Sequence, residues 1–477
     1  MEKCSRFLSA AMLVLFALLF GLALLLGGCQ PEHLSYSAAF GLAVVPAAVY
    51  ALWQRRPGPS PTVWERLGRG RTQALLLLLC FGVNLAWVLF FRLEPRGDYA
   101  TFRLTAEGLA AGETPLNHVY VALFPHILGY STFLSLFMRL FGDSPLVAPV
   151  LNVCLTTLSG FFLYRLTLRW RGENSAAIVL LAWALFPSKL FYNAMVLSEP
   201  YYTCLLLTAL CLTAEIEARK PRLGETLFVG LLAGILLSLV NAARPIAAVP
   251  ILALLIWLFL LRGERDRASR LRWSGYVAAL LAAYLLMGFL WNQYAERILG
   301  EQPASVPGYS LYVGLNPESM GSYSNEDMER FDQAITNAGG NADAAQREML
   351  GEAKARLKSG QIPFGRLFLA KLRSFLGYDE GGAYYSRSRL RDRAYQLLAL
   401  YSNIWYYAIG ITALWGTWRL LRSGERRTML LAPLYVIGLT LAHLMAEVAA
   451  RYHYSVIPML LLLAAFSYTK PVKKPEA

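Results

Sequence analysis

The sequence predicts an all-α polytopic membrane protein with about twelve transmembrane helices. Three observations lead there. Only 16% of the 477 residues are charged and 56% are hydrophobic, whereas roughly a quarter of the residues in a soluble domain are charged. The apolar residues gather into runs close to the roughly 20 residues a helix needs to cross a hydrocarbon core. The basic residues gather between alternate runs, as cytoplasmic loops do under the positive-inside rule. The formal net charge of +14 is therefore a feature of membrane topology. Basic patches interleaved with aromatics for base stacking are not evident, so the charge does not argue for nucleic acid as a partner.

In chain order, the apolar runs fall at about 7–28, 36–53, 73–91, 146–168, 175–191, 200–215, 225–242, 246–261, 273–291, 398–420, 428–446 and 453–469. Lys3 and Arg6 precede the first run. Arg55, Arg56, Arg66, Arg69 and Arg71 separate the second from the third. Arg165, Arg169 and Arg171 follow the fourth; Arg219, Lys220 and Arg222 follow the sixth. Arg262, Arg265, Arg267, Arg270 and Arg272 follow the eighth, and Arg422, Arg426 and Arg427 the tenth. Lys470, Lys473 and Lys474 close the chain. Every second connection is basic, which places both termini in the cytoplasm.

Two segments need separate treatment. Leu26-Gly27-Gly28-Cys29 resembles the end of a lipoprotein signal, but the run before it is longer than a usual signal core and reads as an uncleaved first membrane helix. Phe124–Phe141 is apolar enough to span. Counting it would invert every later loop and put four basic clusters outside, so it is expected to be a re-entrant or surface-lying amphipathic helix. The six cysteines form no framework: Cys80, Cys154, Cys204 and Cys211 lie in apolar runs, and no Cys/His cluster has zinc spacing.

This divides the chain into residues 1–72, two membrane helices and a basic loop; 73–291, a membrane core with an outer loop at 92–145; 292–397, an extracytoplasmic segment; and 398–477, the last membrane helices and a basic tail. Within 292–397, Ser324 with Asp327 marks a helix start and Gly339-Gly340 its stop. Asn341 caps a second helix ending at Gly360. Pro363 to Gly377 alternates apolar residues with Arg366, Lys371 and Arg373, the pattern of an interfacial helix.

The topology collects several polar residues on one outer face. Asp98 follows the third run; a carboxylate there can accept a proton from a hydroxyl or amine, though it equally fits a solvated loop acid or a cap on the helix from Tyr99 to Ala111. In Ser198-Glu199-Pro200, Ser reads as the cap, Glu as first-turn acid and Pro as just inside a helix. Lys189 stands nearby, and ionisable groups at membrane depth are costly and usually employed. Arg244 precedes Pro245, where a helix beginning there would aim free N–H groups outward beside an arginine fork and so suit a phosphate. Glu447 and Arg451 are four apart and can pair on one helix face. His126 and His453 stand at helix starts as hydrogen-bonding residues, with no third metal ligand at helical spacing.

The order of these pieces resembles the GT-C superfamily of integral-membrane glycosyltransferases, in the bacterial branch related to protein O-mannosyltransferases and lipid A aminoarabinose transferases. The resemblance covers most of 73–469. It is carried by Gly97-Asp98-Tyr99, Phe124-Pro125-His126 through Leu140-Phe141-Gly142, Leu197-Ser198-Glu199-Pro200, Ala243-Arg244-Pro245, and Glu447 to Arg451-Tyr452 with Pro458. It implies a GT-C-like fold with juxtamembrane helices in the first large outer loop and an extracytoplasmic site. The implied chemistry is transfer of a sugar from a polyprenyl phosphate or diphosphate carrier, expected here to run from a polyprenyl phosphate, with inversion, to a glycan, lipid or protein acceptor. Asp98 would be the base, Arg244, Arg451 and Lys189 would hold the lipid phosphate, and Glu199, Glu447, His126, His453 and Tyr99 would support them. Tyr99 stands where the O-mannosyltransferases usually have the second acid of an Asp-Glu pair, and Phe124-Pro125-His126 replaces Pro-Pro-Tyr. These departures leave the sugar open, and also whether a divalent metal ion is used. A transporter or flippase of lipid-linked sugars would use the same arginines without needing a base, but the paired, symmetry-related broken helices common in transporters are not evident.

Overall fold

In a bilayer each backbone N–H and C=O must find its partner within the protein, and a helix satisfies this segment by segment. The apolar runs accordingly become helices. The computed structural model describes residues 2–29, 34–55, 63–219, 221–263, 266–425 and 427–468. Among these no strand occurs, and nine helices are long and apolar enough to cross a membrane. A tenth candidate is the bent pair Glu173–Leu185 and Pro187–Asn193, broken by 54°, and Ala248–Leu261 and Val456–Ser467 are shorter apolar helices. Each expected run coincides with one of these elements. By length alone, however, the structure supports nine or ten spans rather than twelve. Arg56, Lys220, Arg265, Arg426, Lys470, Lys473 and Lys474, which entered the topology argument, lie outside the described residues.

His126–Phe141 is a helix of 16 residues packed along Asp98–Ala111. It is shorter than the nine long candidate spans and longer than the apolar helices Ala248–Leu261 and Val456–Ser467. The first helix, Glu2–Gly28, buries Met12, Phe16, Phe20, Ala23 and Leu24 at a helical spacing and packs on Phe364–Leu376 and Asp392–Ser423. The second, Leu34–Arg55, also lies on Asp392–Ser423. Both N-terminal helices are thus built onto the last part of the chain.

Between the long helix Arg267–Leu299 and the helix Asp392–Ser423, the expected signals are realised locally. The Ser324 hydroxyl accepts from the Asp327 N–H and starts Asn325–Asn337. The Asn341 side chain accepts from the Ala344 N–H at 2.8 Å and starts Ala342–Lys358. Phe364–Leu376 is amphipathic, with Leu367, Leu372, Phe375 and Leu376 buried. One of its expected wet-face charges departs from the pattern. Lys371 is 1% exposed, and its ammonium donates to the carbonyls of Gly314, Leu444 and Ala446 at 2.7, 3.0 and 2.7 Å. Three carbonyls satisfy all three donors of an ammonium. The lysine therefore bolts this segment to the end of the membrane helix Leu431–Met445, immediately before Glu447.

Candidate active site

The chain returns to the bundle at Gly97, whose φ of 54° and ψ of −130° suit a residue without Cβ. The turn starts the helix Asp98–Ala111 at once, so Asp98 is its first residue and Gly97 its cap; the expectation that Asp98 caps a helix from Tyr99 is corrected. The Asp98 carboxylate, at a helix end whose free N–H groups favour negative charge, reaches Arg451. The two form an ion pair and hydrogen bond across 353 positions of sequence.

Arg451 belongs to the short 3-10 turn Ala450–His453. Its guanidinium carbon lies 5.7 Å from the ring centres of Tyr99 and of Tyr385 and 5.6 Å from that of Tyr452. The rings of Tyr99 and Tyr385 meet edge to face at 5.8 Å. Aromatic faces stabilise a desolvated cation without consuming its N–H donors. The Nε of Arg451 is buried with no hydrogen-bond partner among the described residues. The cation is therefore held in place with donor capacity unspent.

Glu447 and Arg451 do not pair as a helical i, i+4 couple. Backbone at Ala446 and Ala449 is extended, so the helical spacing is lost, and Asp98 takes the arginine instead. The Glu447 N–H is tied to the Ser310 carbonyl at 2.8 Å. Asp98, Tyr99, Tyr385, Glu447, Arg451 and Tyr452 line one cleft of about 780 Å³. Burial raises the Asp98 carboxyl, but the charge and hydrogen bond of Arg451 outweigh it and hold the group below its ordinary value. For Glu447 burial prevails over Arg451 and Arg244, and the carboxyl is raised. Two acids of one cleft are thus pushed in opposite directions, the pattern that separates acid–base roles.

Arg244 lies behind this cleft. It is the C-cap of Leu223–Ala243, with its N–H bonded to the Val240 carbonyl at 2.8 Å, and the next helix begins only at Ala248. The expected helix N-terminus beside Arg244 is therefore replaced by a helix C-terminus, which also favours a cation. Its guanidinium stacks 4.1 Å over the Tyr452 ring and lies 3.9 Å from a Glu199 carboxylate oxygen. The Tyr452 ring thus contacts both arginines. Glu199 is buried in the first turn of Glu199–Ala218, but Ser198 makes no side-chain cap, and its hydroxyl is buried without a hydrogen-bond partner among the described residues.

His126 begins the helix His126–Phe141. Burial first, and the Arg244 charge second, push its imidazole down to about 3, against the opposing pull of Asp98. The shift favours the neutral imidazole. The folded state then binds fewer protons here than the unfolded state between pH about 3 and about 6.5, so stability rises with pH across that window. His126→Gln is expected to flatten the acid side of the stability-against-pH curve, read by thermal unfolding, and to leave the shape of any rate profile above about pH 6.5 unchanged.

Five expected site residues, Arg244, Glu199, His126, Lys189 and His453, do not line the cleft, and the last two have partners of their own. Lys189 is fully buried and does not line the cleft; its ammonium donates to Asn84 Oδ1 at 2.8 Å and sits 5.5 Å over the Trp183 ring. His453 is buried against Asp379 rather than open to the cleft. Conversely, Tyr385 and Asp379 were not anticipated; the only signal was a polar, glycine-flanked stretch, Tyr378-Asp379-Glu380, after an amphipathic helix. Among the described residues no group of three or more His, Cys, Asp or Glu side chains is placed to hold a metal ion. Two further cavities, one between Leu206 and Tyr276 and one of about 340 Å³ between Pro46 and Ile404, are lined without any charged residue.

No protein-family model matches the chain, and no curated protein matches it. Among solved structures it is similar to the archaeal oligosaccharyltransferase AglB of Archaeoglobus fulgidus in complex with an inhibitory peptide and a dolichol-phosphate. That likeness has a TM-score of 0.49 at 12% identity, over 83% of this chain and 50% of that one. The Archaeoglobus fulgidus oligosaccharyltransferase tethered to an acceptor peptide gives a TM-score of 0.47 at 12% identity, over 83% and 49%. ArnT of Cupriavidus metallidurans bound to undecaprenyl phosphate gives 0.36 at 13% identity, over 85% and 78%. The chain spans about half the length of the two archaeal chains. At these values the case for a function rests on the cleft itself.

Proposed function

We propose that this multi-pass membrane protein is a GT-C-type glycosyltransferase. It moves a hexosyl or pentosyl group from a polyprenyl-phosphate carrier to an acceptor at the extracytoplasmic face, with both termini cytoplasmic. The observation that carries the reading is the Asp98–Arg451 contact in the lining of a large cleft, a base candidate and an anion receptor brought together from distant parts of the chain.

Asp98 and Arg451 pair with each other, and a donor phosphate must compete with that pairing. The donor's phosphate competes with Asp98 for Arg451, and its own charge replaces the carboxylate beside the guanidinium. Asp98 loses the cation that lowered its proton affinity and becomes a stronger base. It then takes the proton of an acceptor hydroxyl. The oxygen attacks the anomeric carbon opposite the phosphate, and the bond from that carbon to the phosphate oxygen breaks with its electron pair leaving on the phosphate. The products are an inverted glycoside and the free lipid phosphate. Arg451 receives the charge that develops on the phosphate, Arg244 adds its field from behind Tyr452, and Glu199 orients Arg244. Fixed cations of this kind contribute roughly 3–4 kcal/mol each.

The test is reconstitution into liposomes with radiolabelled polyprenyl-phosphate sugars and an extract of envelope glycans, lipids and peptides as acceptors. Label is expected to leave the lipid and appear on an acceptor. Label that only changes leaflet, still attached to its lipid, would overturn the enzyme reading in favour of a flippase.

A further inference from the structure

We infer that Asp379 is a positioning residue that sets the phosphate clamp by anchoring, with one carboxylate oxygen, both the turn carrying Arg451 and the short helix carrying Tyr385. This rests on the reading of the cleft as a phosphate-binding site.

Asp379 is 1% exposed and lies between the helix Phe364–Leu376 and the short helix Gly381–Tyr385. Three partners converge on it from distant parts of the chain. The Ser188 hydroxyl donates to its Oδ1 at 2.9 Å. His453 Nε2 lies 3.2 Å from the same oxygen. The Asp379 N–H donates to Asn403 Oδ1 at 2.8 Å. The histidine's tautomer follows from its other nitrogen. Nδ1 is 2.7 Å from the Phe375 carbonyl, which can only accept, so Nδ1 carries a proton. A carboxylate oxygen opposite Nε2 then requires a proton between the two groups. The pair shares it, as imidazolium with carboxylate or as carboxylic acid with imidazole.

His453 is the last residue of the Ala450–His453 turn, so its ring fixes the backbone two residues from Arg451. The same carboxylate also holds the start of Gly381–Tyr385 against Pro187–Asn193. A Cβ on Gly382 would come within 2.8 Å of the Ser188 backbone carbonyl oxygen, so a side chain there would push the two helices apart. The C-terminal residue of that helix, Tyr385, presents its ring to Arg451 and to Tyr99. One buried acid thus locates two of the groups around the guanidinium without touching the cleft. Its Oδ2 is buried with no partner among the described residues, so the anchoring falls entirely on Oδ1.

The test is binding of farnesyl phosphate to the full chain in nanodiscs, by calorimetry, with Asp379→Asn, Arg451→Gln and the double variant. Asp379→Asn is expected to weaken binding at least about tenfold, the order of one charge-assisted hydrogen bond. In the Arg451→Gln background it should add less than about twofold, because a residue acting through Arg451 has nothing left to position. Should Asp379→Asn fail to fold, Ser188→Ala removes one bond to the same oxygen and should show a smaller, equally non-additive loss. Additive losses, or binding within about twofold of wild type in Asp379→Asn while Arg451→Gln binds weakly, would sink the inference and leave the cleft reading intact. A wild-type protein that does not bind the probe would instead remove the cleft reading, and this inference with it.

Discussion

Asp98→Asn is expected to cut sugar transfer by about 10²- to 10⁴-fold, the contribution of a positioned general base, while tightening the binding of polyprenyl phosphate. The two effects have opposite signs because Asp98 does two things. In the empty cleft it competes with phosphate for Arg451, and in the loaded cleft it receives the acceptor's proton. A side chain that merely paired with Arg451 would show the tighter binding without the lost rate. One that merely shaped the loop would show neither. The variant should remain folded. The depressed Asp98 carboxyl contributes stability above its unfolded value, lost as pH falls through the folded one. Its side chain is 47% exposed, however, so solvent screening discounts that contribution. Initial rates in liposomes and calorimetric titration with a polyprenyl phosphate separate the two effects.

Arg451→Gln is expected to lower kcat/KM for the donor by about 10³-fold, on the scale of removing a fixed charge from a developing anion. Arg451→Lys should recover less than about a tenth of the loss, since an ammonium lacks the planar fork and the unspent Nε donor that the three tyrosine rings hold in place. Either change also acts on Asp98. With the guanidinium fork gone, the charge and hydrogen bond that hold its carboxyl down weaken, and burial, which raises it, weighs more. The acid limb of the pH–rate profile should therefore move to higher pH. Unchanged donor kinetics and an unmoved acid limb in Arg451→Gln would take the arginine out of the mechanism.

The line between what was legible and what was not runs through individual residues. The helices of the membrane core and the caps at Ser324 and Asn341 follow from spacing and local chemistry. Arg244 was recognised as a functional candidate, but its setting was misread, because a helix end and a helix start look alike around Ala243-Arg244-Pro245. Glu447 and Arg451 have the spacing of a helical pair but lie in a segment that is extended for half its length. Lys189, Lys371 and His453 were equally plausible as site residues, wet-face charges or anchors. Each turned out to have private partners: Asn84, three carbonyls, and Asp379.

By itself the sequence determined that the chain is helical, that it is apolar enough to live in a bilayer, and which polar residues are too costly there to be idle. Those properties depend on neighbours three or four positions away, and periodicity records them. Only the tertiary structure decided that Asp98 meets Arg451, that Tyr385 and Tyr452 flank the guanidinium, and that Asp379 stands behind both. The energy of a buried charge depends on which other charges, rings and carbonyls packing brings within a few ångströms, and nothing in the local order of residues encodes a meeting 353 positions apart.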